Sequence, residues 1–119
     1  MQLSTHRELG GGPRCVLRVA GEIDYATSAD LRTAILDLVN GAGVTTIVLD
    51  LRDVTFCDSI GIGTLVVASR ICGQVGLDLQ LRGPNPFLMR LLHVAGVGGE
   101  LTVVAPSVPA QGRLQPEPV

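Results

Sequence analysis

Val54-Thr55-Phe56-Cys57-Asp58-Ser59-Ile60-Gly61-Ile62-Gly63 joins a strand to a helix. Upstream, Thr46-Ile47-Val48-Leu49-Asp50-Leu51 is mostly apolar or β-branched, the pattern of a buried strand. Downstream, Leu65, Val66, Ser69, Ile71 and Cys72 crowd several faces of a helix predicted over Ile60 to Val75. Asp58-Ser59 stands where the chain leaves a sheet and enters that helix. Two readings apply to the pair. Asp and Ser are favoured N-caps and need no further function. A helix N-terminus also presents unpaired N–H groups and positive potential. A serine there could carry a phosphate that the helix end helps to hold. One residue pair can do both.

At 119 residues the chain is one domain with room for a core. A 46% apolar and 17% charged composition is that of a globular protein. Aromatics make up 3%, with no Trp and one Tyr, too few for a platform that stacks nucleic-acid bases. A net charge of −2 opposes a broad grip on a phosphate backbone, so no direct nucleic-acid partner is expected. No long basic run suggests a membrane surface site. The longest apolar stretch, Ile60 to Ala68, is too short to span a bilayer. The N-terminus lacks a basic-then-apolar signal pattern, and a cytoplasmic location is the expectation. No heptad or exposed apolar stripe stands out, which favours a monomer.

Cys15, Cys57 and Cys72 are odd in number and lack metal-ligand spacing. A helix starting near Ser59 puts Cys72 roughly 20 Å along its axis, outside disulfide reach of Cys57. All three read as small buried apolar residues, with a redox role the lesser alternative in a reducing compartment. His6 and His93 are far apart in sequence and lack ligand-like company, so no metal or cofactor is called for.

In chain order, Gln2-Leu3-Ser4-Thr5 reads as an edge strand and Gly10-Gly11-Gly12-Pro13 as a turn. Arg14 to Ala20 is a strand. Cys15, Leu17 and Val19 should face the core, with Arg14 and Arg18 on the wetter side. Gly21-Glu22-Ile23-Asp24 reads as a loop whose two carboxylates lack a catalytic partner group nearby. Thr27 or Ser28 caps a helix carrying Leu31, Ile35, Leu38 and Val39 on one face, stopped by Gly41 and Gly43. Val44 to Leu51 is the buried strand, and polar Arg52-Asp53 brings the chain to the surface.

Gly61 and Gly63 fall in the first turn of the central helix, where each costs about 1 kcal/mol against Ala. Close approach of backbone to a neighbour would explain them, and so would open access for a macromolecule to Ser59. Gly61-Ile62-Gly63 is no dinucleotide fingerprint, and a chain without lysine has no phosphate-cradling P-loop. Gly73 and Gly76 end the helix. Leu77 to Arg82 alternates as a half-exposed strand. Asn85 caps a helix with Pro86 at its first position and Phe87, Leu88, Leu91, Leu92 and Val94 on its apolar face. Gly96, Gly98 and Gly99 close it, and Leu101 to Val104 is a short last strand. Residues 106–119, with four of the chain's prolines among them at 106, 109, 116 and 118, read as a disordered tail. Strands alternating with helices imply an α/β fold with a mainly parallel sheet, and the first two strands should pair antiparallel.

With Gly21-Glu22-Ile23-Asp24, Val48-Leu49-Asp50-Leu51 and the Asp58-Ser59-Ile60-Gly61 core in place, the chain resembles the STAS domains, specifically the bacterial anti-sigma factor antagonists. The resemblance covers about residues 2–105 and implies a STAS domain at 1–105, followed by the tail. It implies a mixed sheet of four to five strands with about three main helices. It also implies a partner switch: the unphosphorylated protein binds a serine-kinase anti-sigma factor and frees the sigma factor. Phosphorylation of Ser59 ends that binding and a phosphoserine phosphatase restores it. Carried onto this sequence, the partner surface would include Glu22, Asp24, Asp58, Ser59, Ile60 and Gly61. Ile60 departs from the family pattern, where Ser or Thr often follows the acceptor. That removes a second hydroxyl and touches partner recognition alone.

Three other classes stand beside this reading. A STAS subunit of a scaffold or lipid-transport complex would need no sigma control. A nucleotide-binding module is disfavoured by the missing lysine and phosphate loop. An enzyme ranks last for want of a nucleophile–base pair or metal set, leaving no catalytic residue to nominate.

Overall fold

The computed structural model describes residues 1–8, 13–41, 43–94 and 101–104. Its elements run β1 (Gln2–Glu8), β2 (Arg14–Ile23), α1 (Ser28–Asn40), β3 (Thr46–Cys57), α2 (Ser59–Gln74), β4 (Asp78–Arg82), α3 (Pro86–Val94) and β5 (Thr102–Val104). The five strands form one sheet in the order β1-β2-β3-β4-β5. β1 and β2 are antiparallel, and every later neighbouring pair is parallel. The mixed sheet with three helices and an antiparallel first pair is the architecture expected from the sequence.

Each parallel connection steps one strand along the sheet. Right-handed crossovers stepping in one direction put all three helices on the same face. The core lies beneath them. Leu31 and Ile35 of α1, Leu65, Ala68 and Cys72 of α2, and Leu88 and Leu92 of α3 meet Leu17, Val19, Ile47, Leu49, Leu51, Leu79 and Leu81 of the strands. All three cysteines are buried and free, and burial pushes the Cys72 thiol up.

The opposite face of the sheet is wetter, yet Val16, Val48, Asp50 and Arg82 are buried. Arg82 is 4% exposed although strand alternation predicts a wet position. Its two terminal nitrogens donate to both Glu8 oxygens at 2.9 Å. Those hydrogen bonds hold the Glu8 carboxyl below its ordinary value against the opposing effect of burial. Burial likewise works to raise Asp50, but hydrogen bonds from the Arg52 side chain and amide outweigh it and the net shift is downward.

Three strands are longer than their sequences suggest. β2 continues through Gly21-Glu22 to Ile23, with register shifts at Arg18/Ala20 and Gly21/Glu22. Gly21 has φ +101, a conformation glycine allows in the middle of that irregular pairing. β3 continues through Arg52 and Asp53 to Cys57. These polar residues do face solvent, but they stay in the strand: Arg52 pairs with Asp50, and Arg18 Nε donates to Asp53 at 3.1 Å. β1 also extends past Thr5 to Glu8.

Asn85 caps α3 as expected, accepting from the Leu88 amide at 2.8 Å while its own amide group donates to Val54 O. Phe87 and Val94, expected on the apolar face of α3, are exposed; Leu88, Leu91 and Leu92 carry the packing. The Gly10–Gly12 turn, the Gly96, Gly98 and Gly99 stop, and the proline-rich tail at 106–119 lie outside the described residues.

Candidate functional site

Ile23 ends β2 and Cys57 ends β3, and the two are register partners. Their chains therefore leave the sheet side by side. The β3 chain turns at Asp58, which is extended (φ −101, ψ −175) and is the N-cap of α2. Its amide donates to Ile23 O at 3.2 Å, and its carbonyl accepts from Ile62 N at 3.0 Å. Its carboxylate serves two elements. Oδ1 accepts from the Gly61 amide at 2.8 Å, closing the first turn of α2. Oδ2 accepts from the Tyr25 amide at 3.2 Å, fastening the loop between β2 and α1.

That loop is itself braced. Asp24 Oδ1 accepts from the amides of Ala26 and Thr27 at 3.0 and 3.1 Å, an Asx turn. Thr27 Oγ1 accepts from the Asp24 amide at 2.9 Å and donates to Glu22 O at 2.8 Å. Thr27 is the N-cap of α1 by position, but its hydroxyl makes no cap bond because it reaches back to the end of β2. Ser28, the other expected cap, lies inside the helix.

Gly61 explains one of the paired glycines. A Cβ there would lie 2.5 Å from Ile23 O and 2.7 Å from Cys57 Sγ, so α2 approaches the strand ends closely because residue 61 has no side chain. A Cβ on Gly63 would meet nothing within 4 Å, so close packing does not account for that glycine.

The structure thus brings Asp24, Asp58, Ser59 and Ile60 to one end of the sheet, with Glu22 exposed at the adjoining end of β2. Gly61 belongs to this end but is buried, so it shapes the surface from beneath. Ser59 is exposed, the first helical residue, and its hydroxyl has no hydrogen-bond partner among the described residues. Ile60 is 45% exposed beside it. Tyr25, which the sequence pattern does not single out, stands 78% exposed on the loop tied to Asp58. Its one local mark is that it is the sole tyrosine of an aromatic-poor chain, set next to Asp24.

Chemically, the arrangement offers an accessible hydroxyl without an activating hydrogen bond among the described residues. No His or Lys hydrogen-bonds Ser59 among the described residues. Burial, with the Asp58 charge adding to it, pushes the Cys57 thiol up to about 12, which keeps it protonated and unreactive at neutral pH. No group of three or more His, Cys, Asp or Glu gathers to hold a metal among the described residues. Surface depressions of about 620 and 290 Å³ lie elsewhere, the first against Gln2, Arg18 and Asp53, the second between Met89 and Val103. No described helix is long and apolar enough to cross a membrane.

A family profile described as "Mlab, STAS domain" matches residues 10–105. The chain belongs to the STAS domain family. This STAS domain is 29% identical over 82 residues to the anti-sigma F factor antagonist of Paenibacillus polymyxa, covering 69% of this chain and 70% of the relative. Its structure is similar to an anti-sigma factor antagonist from Mycobacterium paratuberculosis, with a TM-score of 0.70 and 26% identity over 86% of this chain and 85% of that one. It also shares its fold with the anti-sigma factor antagonist SpoIIAA in its unphosphorylated form, with a TM-score of 0.67 and 24% identity over 85% of this chain and 88% of that one. SpoIIAA in its phosphorylated form matches with a TM-score of 0.61 and 24% identity over 85% of this chain and 91% of that one.

Proposed function

We propose that this STAS domain, at residues 1–105, is an anti-sigma factor antagonist switched at Ser59. Its unphosphorylated form binds a serine-kinase anti-sigma factor in the cytoplasm and frees the sigma factor. Phosphorylation of Ser59 ends the interaction and a phosphoserine phosphatase restores it. The partner surface is the end of the sheet carrying Glu22, Asp24, Asp58, Ser59 and Ile60. The observation that carries this reading is the exposed Ser59 hydroxyl at the first residue of α2, without a hydrogen-bond partner among the described residues and beside an Asp58 carboxylate already committed to two amides. A hydroxyl so placed is open to an outside kinase, and no base among the described residues hydrogen-bonds it to make it a nucleophile. The names of the relatives, and a protein of the same fold known in two phosphorylation states, support the assignment.

Electrostatics gives the switch its direction. A phosphate adds roughly −1.5 to −2 charges. On Ser59 it would stand beside the Asp58 carboxylate within a docking surface, where like charge and desolvation both oppose binding. On the free protein, the first-turn amides of α2 would stabilise it. Both effects favour release. The test is incubation of the purified protein with ATP and candidate anti-sigma kinases from the same genome, read by mass spectrometry beside Ser59→Ala. One phosphate on Ser59, absent from the variant, is expected. No modification by kinases active on other substrates would overturn the proposal.

The matching family's description names a STAS domain and no sigma control, which leaves a second reading, a STAS subunit of a larger assembly. A pull-down that recovers transporter subunits and no kinase would select it.

A further inference from the structure

We infer that Tyr25 is a specificity-determining anchor for the kinase partner, and that Asp58 is the positioning residue that holds it in register with the phosphoacceptor Ser59. The inference rests on the function proposed above.

Tyr25 is 78% exposed in a chain with one tyrosine, two phenylalanines and no tryptophan. Its ring contributes nothing to the core cluster, and its hydroxyl has no partner among the described residues. Folding therefore does not require an aromatic side chain here. The backbone beneath it is nevertheless held firmly. The Tyr25 amide donates to Asp58 Oδ2, and the turn on either side is closed by Asp24 and Thr27. A large, amphipathic ring on a braced loop loses little conformational freedom on docking, which is the property of an interface anchor.

The second link is to Ser59. Asp58 immediately precedes the acceptor and spans the two elements, with one oxygen on the Gly61 amide and the other on the Tyr25 amide. The distance from anchor to acceptor is thereby set by one carboxylate. Ile60, 45% exposed and next to Ser59 in the chain, adds an exposed apolar side chain beside the acceptor. Glu22, Asp24 and Asp58 add negative charge around it. The complementary partner surface is an apolar socket for the tyrosine ring, rimmed by Arg or Lys, next to the site where the kinase presents ATP.

The experiment measures steady-state phosphorylation of the full chain by the kinase that modifies wild-type Ser59, with Tyr25→Ala, Tyr25→Phe and Asp58→Asn as substrates. Circular dichroism verifies that each variant is folded. Tyr25→Ala is expected to raise KM about tenfold or more with kcat little changed, the signature of lost binding that leaves the chemical step alone. Tyr25→Phe, which keeps the ring, is expected to retain most of the affinity. Asp58→Asn has one carbonyl oxygen for two amides and is expected to raise KM by an intermediate factor. Its effect should shrink when Tyr25 is already Ala, because the two changes remove one interaction. An unchanged KM in Tyr25→Ala, with Ser59 still phosphorylated, would overturn the inference and leave the proposed function standing. Failure of any kinase to modify wild-type Ser59 would remove both.

Discussion

Arg82 on β4 and Glu8 on β1 are 74 residues apart and form a two-pronged ion pair across the open face of the sheet. Arg82 is almost fully buried, so its charge depends on that one carboxylate for compensation. Glu8→Ala would leave a buried guanidinium unpaired, at an expected cost of about 3 kcal/mol. Adding Arg82→Leu should recover part of the loss. Urea unfolding of the single and double variants measures both. A loss under about 0.5 kcal/mol in Glu8→Ala would place this pair among ordinary surface ion pairs.

The same contact gives the stability a pH dependence. The folded-state carboxyls of Glu8 and Asp50 lie below their ordinary values of 4.5 and 3.8. A depressed folded value stabilises the native state fully above the ordinary value, and that stability disappears as pH falls through the folded one. The urea midpoint should therefore be insensitive to these groups near neutrality and decline below about pH 4. Glu8→Gln should have a lower midpoint at pH 7 and a shallower decline in acid.

Gly61 and Gly63 should respond with opposite signs to the same substitution. Gly61→Ala places a methyl against Ile23 O and Cys57 Sγ, and should cost about 1–3 kcal/mol despite the better helix propensity of alanine. Gly63→Ala enters open space and should add up to about 1 kcal/mol. Thermal unfolding separates them. Equal shifts would contradict the close approach at Ile23.

Ser59→Asp should weaken partner binding by about two orders of magnitude, corresponding to roughly 3 kcal/mol. Ser59→Ala should bind like the wild type and resist switching off by ATP. Calorimetry against the kinase, with and without ATP, checks both. Equal affinity for phosphorylated and unmodified protein would remove the basis for a charge-driven switch.

The buried runs around Ile47 to Leu51 and Leu17 to Val19 announced the core because apolar periodicity is a local property of the chain. The ends of β2 and β3 did not. Gly21-Glu22 and Arg52-Asp53 look like loops, and only the paired strands show that a register shift and neighbouring side-chain pairs keep them in the sheet. Arg82 falls on the wet side of an alternating strand, and nothing nearby in sequence indicates that Glu8 covers it. At the candidate site, Asp58 and Ser59 were legible as a helix start. The bond from Asp58 to Tyr25 crosses 33 residues and was not.

The sheet order repeats the chain order, so each strand finds its partner in the next strand along. The antiparallel β1–β2 pair closes a short loop, whereas each of the three parallel pairs closes a longer one through a crossover helix, which slows folding. The Glu8–Arg82 link instead joins the first strand to the fourth. It can form once the intervening strands are aligned, so it is expected to form after the folding transition state. Breaking it should therefore accelerate unfolding and leave the folding rate nearly unchanged. By that logic this ion pair sets how long the native domain persists more than how quickly it is made.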